Sequence, residues 1–339
     1  MRGHGEEYRR YLRRKGRTLG MVAACLVPAV LLSLSWGAVE IPWSNLWGVI
    51  CGTDTTSRYA LIVLQSRLPQ TLAAVLAGMG LAASGGAMQA VLRNPLCSPF
   101  TLGIASGAAF GAALAVFCGG TGYFGVVTLG AFLGSLSAVG VVLGLSRLRK
   151  VQNETVLLMG VAMSSFYGAG ILFLQYLADE QQLAAMVFWT FGDTARVTWP
   201  QLYGLIPLTV VLCGYFAFRG KDYNALSLGS EAARGLGVPV VRLRGETMFL
   251  ASLLTAVWVA AMGIIGFVGL VIPHLSRKLV GSDDRFVLPL SMVSGALLLL
   301  LSDMAARWVF APKVLPVSLL TAFLGGPIFL SMLLRKEDA

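Results

Sequence analysis

The sequence predicts an all-α polytopic membrane protein with about ten transmembrane helices and both termini in the cytoplasm. Three observations carry that reading. Apolar residues make up 56% of the 339 positions and charged ones only 12%, too little polar surface for a soluble globule of this size. Apolar runs near the roughly 20 residues that a helix needs to cross the hydrocarbon recur almost end to end. With the spans so placed, 21 of the 26 Lys and Arg fall on the side of the N-terminus, leaving Arg58, Arg67, Arg196, Arg307 and Lys313 on the other. Short basic loops stay in the cytoplasm. The net charge of +10 is this asymmetry rather than a nucleic-acid surface.

Residues 1–17 form a basic cytosolic segment carrying Arg2, Arg9, Arg10, Arg13, Arg14, Lys15 and Arg17, and the run from Thr18 to Trp36 follows as a retained first span. It is long for a cleaved signal and shows no small-x-small cleavage site at Trp36-Gly37-Ala38. Trp36, Trp43 and Trp47 suit the outer lipid–water interface. Arg67-Leu68-Pro69 opens the second span, from about Thr71 to Val91, which ends at Arg93-Asn94-Pro95 because proline disfavours helix in the residue before it. In span three Gly103, Gly107 and Gly111 recur every four residues and predict close helix packing. Span four, about Tyr123 to Leu145, carries Gly130, Gly134, Gly140 and Gly144 and ends on a basic turn. Span five covers about Thr155 to Leu177.

An outer segment from Asp179 to Trp199 contains the apolar piece Leu183 to Phe191, too short to cross and read as a surface or re-entrant helix. Span six runs from Pro200 to about Phe218. Residues 219–244 are basic, polar and glycine-punctuated, and within them 224–238 reads as a short cytosolic helix between two spans. Span seven is about Thr247 to Met262, followed by a tight turn at Gly263 to Gly266. Span eight, Phe267 to Val280, is short and places Arg277 and Lys278 inside. Spans nine and ten are about Val287 to Trp308 and Leu315 to Leu334.

The chemistry-bearing residues are few. His4 and His274 have no ligand-spaced partners, and Cys25, Cys51, Cys97, Cys118 and Cys213 show no C-x-x-C spacing. No metal, cofactor or catalytic constellation is therefore expected. Gly220-Lys221 is followed by Asp222 and lacks the upstream glycine of a phosphate-binding loop, so nucleotide chemistry must come from another subunit. Asp303, a carboxylate within a span, is a functional candidate by position; pairing with Arg307 one turn on would instead satisfy it structurally. Met159, Met163, Phe166, Phe173 and Tyr176 of span five are candidates for lining a route or for packing between helices.

Arg67-Leu68-Pro69, Gly85-Gly86-Ala87-Met88-Gln89, Asn94-Pro95-Leu96, Gly103-Ile104-Ala105-Ser106-Gly107, Gly266 to His274 and Leu315-Pro316-Val317 together resemble the FecCD-type permeases. These are the membrane subunits of bacterial ABC importers for iron-siderophores, haem and cobalamin, the type II importers. The likeness covers nearly the whole chain as one permease domain, 1–339. It implies ten helices, a homodimer with its pathway on the two-fold axis, two cytosolic ATPase subunits, an external substrate-binding protein and residence in the bacterial inner membrane. Lipid and these proteins are the expected partners, with no nucleic acid. Glu231-Ala232-Ala233, then Arg234 and Gly237, look like the family's ATPase-coupling segment. Arg67 and Arg307 match external arginines that dock the binding protein. Asn153 and Glu154 align with the cytosolic gate but depart from its small hydroxyl residues. The competing reading is an ion-coupled secondary transporter, which also uses glycine-interrupted helices and midplane polar groups.

Overall fold

The computed structural model describes residues 2–37, 39–119, 124–149, 153–311 and 313–334. Ten main helices follow one another as expected: α1 (Arg2–Ser35), α4 (Leu68–Leu92), α5 (Ile104–Phe117), α6 (Phe124–Arg149), α7 (Asn153–Leu177), α9 (Trp199–Phe218), α12 (Val240–Met262), α13 (Val268–Val280), α14 (Asp284–Trp308) and α15 (Val317–Leu334). Short helices join them: α2 (Trp43–Ile50), α3 (Arg58–Ile62), α8 (Glu180–Thr190), α10 (Gly220–Ser227) and α11 (Ser230–Gly235). Seven helical stretches among the described residues are long and apolar enough to cross a membrane.

The shortest of the ten, α13, has 13 residues, which at 1.5 Å per residue reach about 20 Å of a hydrocarbon core near 30 Å. The turn Gly263–Phe267 before it supplies the rest as irregular backbone. That is tolerable where protein rather than lipid surrounds it: Ile265 is buried, Phe267 packs against Gly325 of α15, and the Met262 carbonyl accepts the Asp193 N–H at 2.8 Å.

Helix α4 is the centre of the bundle. Alanine and glycine make up 11 of its 25 residues, and nearly every residue from Pro69 to Leu92 is buried. Glycine permits the closest approaches. A Cβ on Gly85 would lie 1.7 Å from the Gly269 carbonyl oxygen of α13, and one on Gly78 would lie 2.3 Å from that of Gly295 in α14. The expected stripe in span three behaves likewise, because Gly107 and Gly111 of α5 meet Gly134 and Gly130 of α6 backbone to backbone. A Cβ on Gly140 or Gly144 would meet nothing within 4 Å, so they take no part in that seam.

Two local expectations are revised and a third is narrowed to one of its alternatives. Arg67-Leu68-Pro69 does not open a helix: the chain is helical from Arg58 to Leu92, passing through a π-turn at Val63–Arg67. Pro69 has no N–H to give the ladder, and the widened turn before it accommodates its ring. The polar segment holds two short helices, α10 and α11, rather than one, parted at Leu228-Gly229, where Gly229 has φ +117°. The apolar piece 183–191 becomes α8, a surface helix with a capping box at Asp179 and Gln182 and with Met186 and Trp189 turned inward.

Candidate functional site

Helix α11 projects from the end of the bundle at which α9 finishes and α12 begins. Its Ala233 is fully buried, whereas Glu231, Ala232, Arg234 and Gly237 are exposed. The exit follows from the sequence: Gly237 adopts φ +85°, its N–H donates to the Arg234 carbonyl at 2.9 Å, and the Val238 N–H donates to the Ala233 carbonyl at 3.0 Å. This paired bonding past a left-handed glycine ends the helix, and the buried Val238–Ala233 pair supplies the apolar contact that accompanies it. Around α11 stand Leu228, Leu236 and Val241, exposed by 70%, 66% and 76%. Three large apolar side chains thus lie exposed close in sequence to a charged helix turn.

The segment is fastened to the bundle on several sides. Tyr223 and Leu226 of α10 are buried in the main core, and the Tyr223 hydroxyl lies 3.0 Å from that of Thr247 in α12. Removal from water pushes the Tyr223 phenol upward in pKa. Arg219 pairs with Asp222 at 2.8 Å and reaches Glu246 at 3.5 Å, while Arg244 donates to the Ser230 hydroxyl at 3.1 Å.

The most specific link is Asn224. Its amide donates to Asp283 Oδ1 at 2.7 Å, and its carbonyl oxygen accepts the Asp284 N–H at 2.8 Å. One side chain thus ties α10 to the first turn of α14. Asp283 caps that helix and binds Arg285 at 2.7 Å, which, with the Asn224 amide, holds its pKa down at about 2. Asp284 pairs with Arg277 of α13 at 3.4 Å. Arg277 donates to Gln89 of α4, and the Gln89 amide donates to the Leu270 carbonyl at 3.1 Å. An uninterrupted polar chain therefore runs from α10 through α14 and α13 to the central helix. Sequence reasoning missed Asn224, Asp283 and Arg277 as functional residues; Gln89 entered only as part of a motif.

At the opposite end Arg67 and Arg307 are exposed by only 5% and 6%. Arg67 donates to the carbonyls of Leu34 and Ser35 at 2.7 and 2.6 Å and also to that of Val39. Arg307 donates to the Ser33 carbonyl at 3.2 Å and the Ser33 hydroxyl at 2.7 Å. Both guanidinium groups therefore close the C-terminal turn of α1, whose last carbonyls have no helical partner, instead of standing on an exposed rim. Asp303 is fully buried and pairs with Arg307 at 2.8 Å across one turn, and it accepts from Gln70 at 2.8 Å and from Thr194. The local-pairing reading of Asp303 is the one the geometry matches.

Along α7 the side chains of Phe166, Phe173 and Tyr176 are exposed with Leu158 and Val161, whereas Met159 and Met163 pack against the core. A crevice of about 470 Å³ opens beside this helix, lined by Leu96, Thr101, Leu157, Val161, Ser164 and Ser165. Asn153 and Glu154 open α7; their side chains lie outside the described residues.

Known proteins share this architecture. An ABC transporter permease of Methanocaldococcus jannaschii is 48% identical over 286 residues, covering 81% of this chain and 82% of its own. The hemin transport system permease of Yersinia pestis is 37% identical, covering 94% and 96%, and the vitamin B12 import system permease of Klebsiella pneumoniae is 36% identical, covering 96% of each chain. Among solved structures, an inward-facing metal-chelate type ABC transporter superposes with a TM-score of 0.84 at 32% identity, over 95% of this chain and all of that one. Residues 25–335 match one transport family from the first span to the last. A multi-pass bundle centred on α4, with α10 and α11 projecting between α9 and α12, is what that match spans: the chain belongs to the FecCD transport family.

Proposed function

We propose that the chain is the membrane-spanning permease of an ATP-driven importer for a metal chelate. It works as a homodimer with two cytosolic ATPase subunits and an external binding protein, in a bacterial inner membrane, with both termini inside. The observation that carries this reading is α11. A chain without a phosphate-binding loop of its own presents a short charged helix, ended by a left-handed glycine and ringed by exposed leucine and valine, on a hairpin bonded to its central helices. Such a knob is built to receive force from another subunit. Relatives named for hemin and vitamin B12 support the chelate class, and the exposed face of α7 suits a two-fold pathway. The coupled-ion alternative loses its main candidate, since Asp303 is already neutralised by Arg307.

The test is direct. Glu231→Trp adds bulk to the exposed turn, and Gly237→Val strains the left-handed backbone that ends α11. In liposomes holding permease, ATPase and binding protein, both variants should hydrolyse ATP while accumulating little substrate. Wild-type accumulation in both would reject the coupling role.

A further inference from the structure

We propose that the exposed Arg13, Arg14 and Arg17 face of α1 is a binding site for anionic phospholipid headgroups in the leaflet on the N-terminal side. The rotation of α1 is fixed by Lys15, which is only 5% exposed. Its ammonium sits 3.9 Å from the Tyr11 ring centroid and 5.4 Å from that of Phe286, against the turn between α13 and α14. Leu19 and Val22, on the same side, pack on the cluster of Val280, Val287 and Leu290. At about 100° per residue, Arg13, Arg14 and Arg17 occupy an arc of about 100° on the opposite side, so docking Lys15 inward turns all three outward. Each is exposed, and among the described residues none has a carboxylate partner.

Depth selects the occupant. The apolar run starts at Thr18, so Arg17 to Arg13 lie about 1.5 to 7.5 Å before it along a helix rising 1.5 Å per residue. The headgroup layer of one leaflet is about 5–7 Å deep. Beyond the arginines the same outward face continues through Gly20, Met21, Ala24 and Val27, all exposed. Basic groups at headgroup level followed by an unbroken apolar track match a phospholipid, phosphate first and acyl chains after, better than they match a soluble protein.

The experiment is native mass spectrometry of the purified full-length protein with equal phosphatidylglycerol and phosphatidylcholine in the micelle. Wild type should retain phosphatidylglycerol preferentially, with the preference falling about fivefold for each arginine replaced by glutamine. The triple Arg→Gln variant should approach no preference, while the triple Arg→Lys variant, which keeps charge and controls for misfolding, should retain most of it. A wild type without preference, or a triple Arg→Gln variant that keeps it, overturns the proposal. So does a triple Arg→Gln variant that keeps its lipid preference but loses its ATPase subunit, because the face would then belong to a protein.

Discussion

Asn224 is the point at which the account is most exposed to experiment. Asn224→Leu removes two hydrogen bonds, one to the Asp283 carboxylate and one from the Asp284 N–H. A bond to a charged group contributes about 1.5–3 kcal/mol and a neutral one about 1 kcal/mol. Asp283 keeps Arg285, so part of the first loss is recovered, and a net weakening of about 2 kcal/mol remains. That shifts the balance between fastened and released α10 by about thirtyfold. The fold should survive, because Tyr223 and Leu226 stay buried beneath the segment and the chain from Asp284 to Gln89 is untouched. ATPase subunits should still assemble, since Asn224 is not on the outward face of α11. What should fall is the ratio of substrate accumulated to ATP hydrolysed, measured side by side in the same liposomes. Asn224→Asp should be worse than Asn224→Leu, because it sets a second carboxylate against Asp283, which is ionised at any working pH. A wild-type ratio in both variants, with intact assembly, would refute the idea that motion passes through this bond.

Further outcomes follow from packing and charge. Gly85→Val places a side chain where the Gly269 backbone already stands, and it should lower thermal stability in detergent by about 3 kcal/mol or more; an unchanged melting temperature would contradict the central position of α4. Arg307→Leu leaves Asp303 buried without its cation and should destabilise by about 3–5 kcal/mol, with the double change Arg307→Leu, Asp303→Asn recovering much of the loss. If Arg307→Leu instead melts like wild type and loses only binding-protein affinity, the docking role expected from the family resemblance is supported and the structural one refuted.

The features legible in the sequence are those written in local periodicity or in a single residue's conformation. Spans emerged from length and hydropathy, the α5–α6 seam from glycines spaced by four, and the exit of α11 from Gly237, where a left-handed turn needs no Cβ. Features that depend on which residues meet in space were not legible. Asn224 and Asp283 are 59 positions apart, and neither polar type near a helix end announces its partner. Arg67 and Arg307 were correctly placed toward the end away from the basic N-terminus, but the side of a membrane says nothing about inward or outward rotation, and their burial depends on the carbonyls that α1 leaves open. The π-turn before Pro69 was hidden for a similar reason, since proline signals a break in the ladder without saying whether the chain stops or widens to absorb it.

The most direct test of the central claim measures uptake and hydrolysis together in liposomes containing this permease, its ATPase and its binding protein, with hydrolysis blocked by vanadate. If α10 and α11 relay force from a separate motor to a bundle with none of its own, accumulation should stop when hydrolysis stops and should be unaffected by an ionophore. Accumulation that persists under vanadate and collapses with the ionophore would contradict the account.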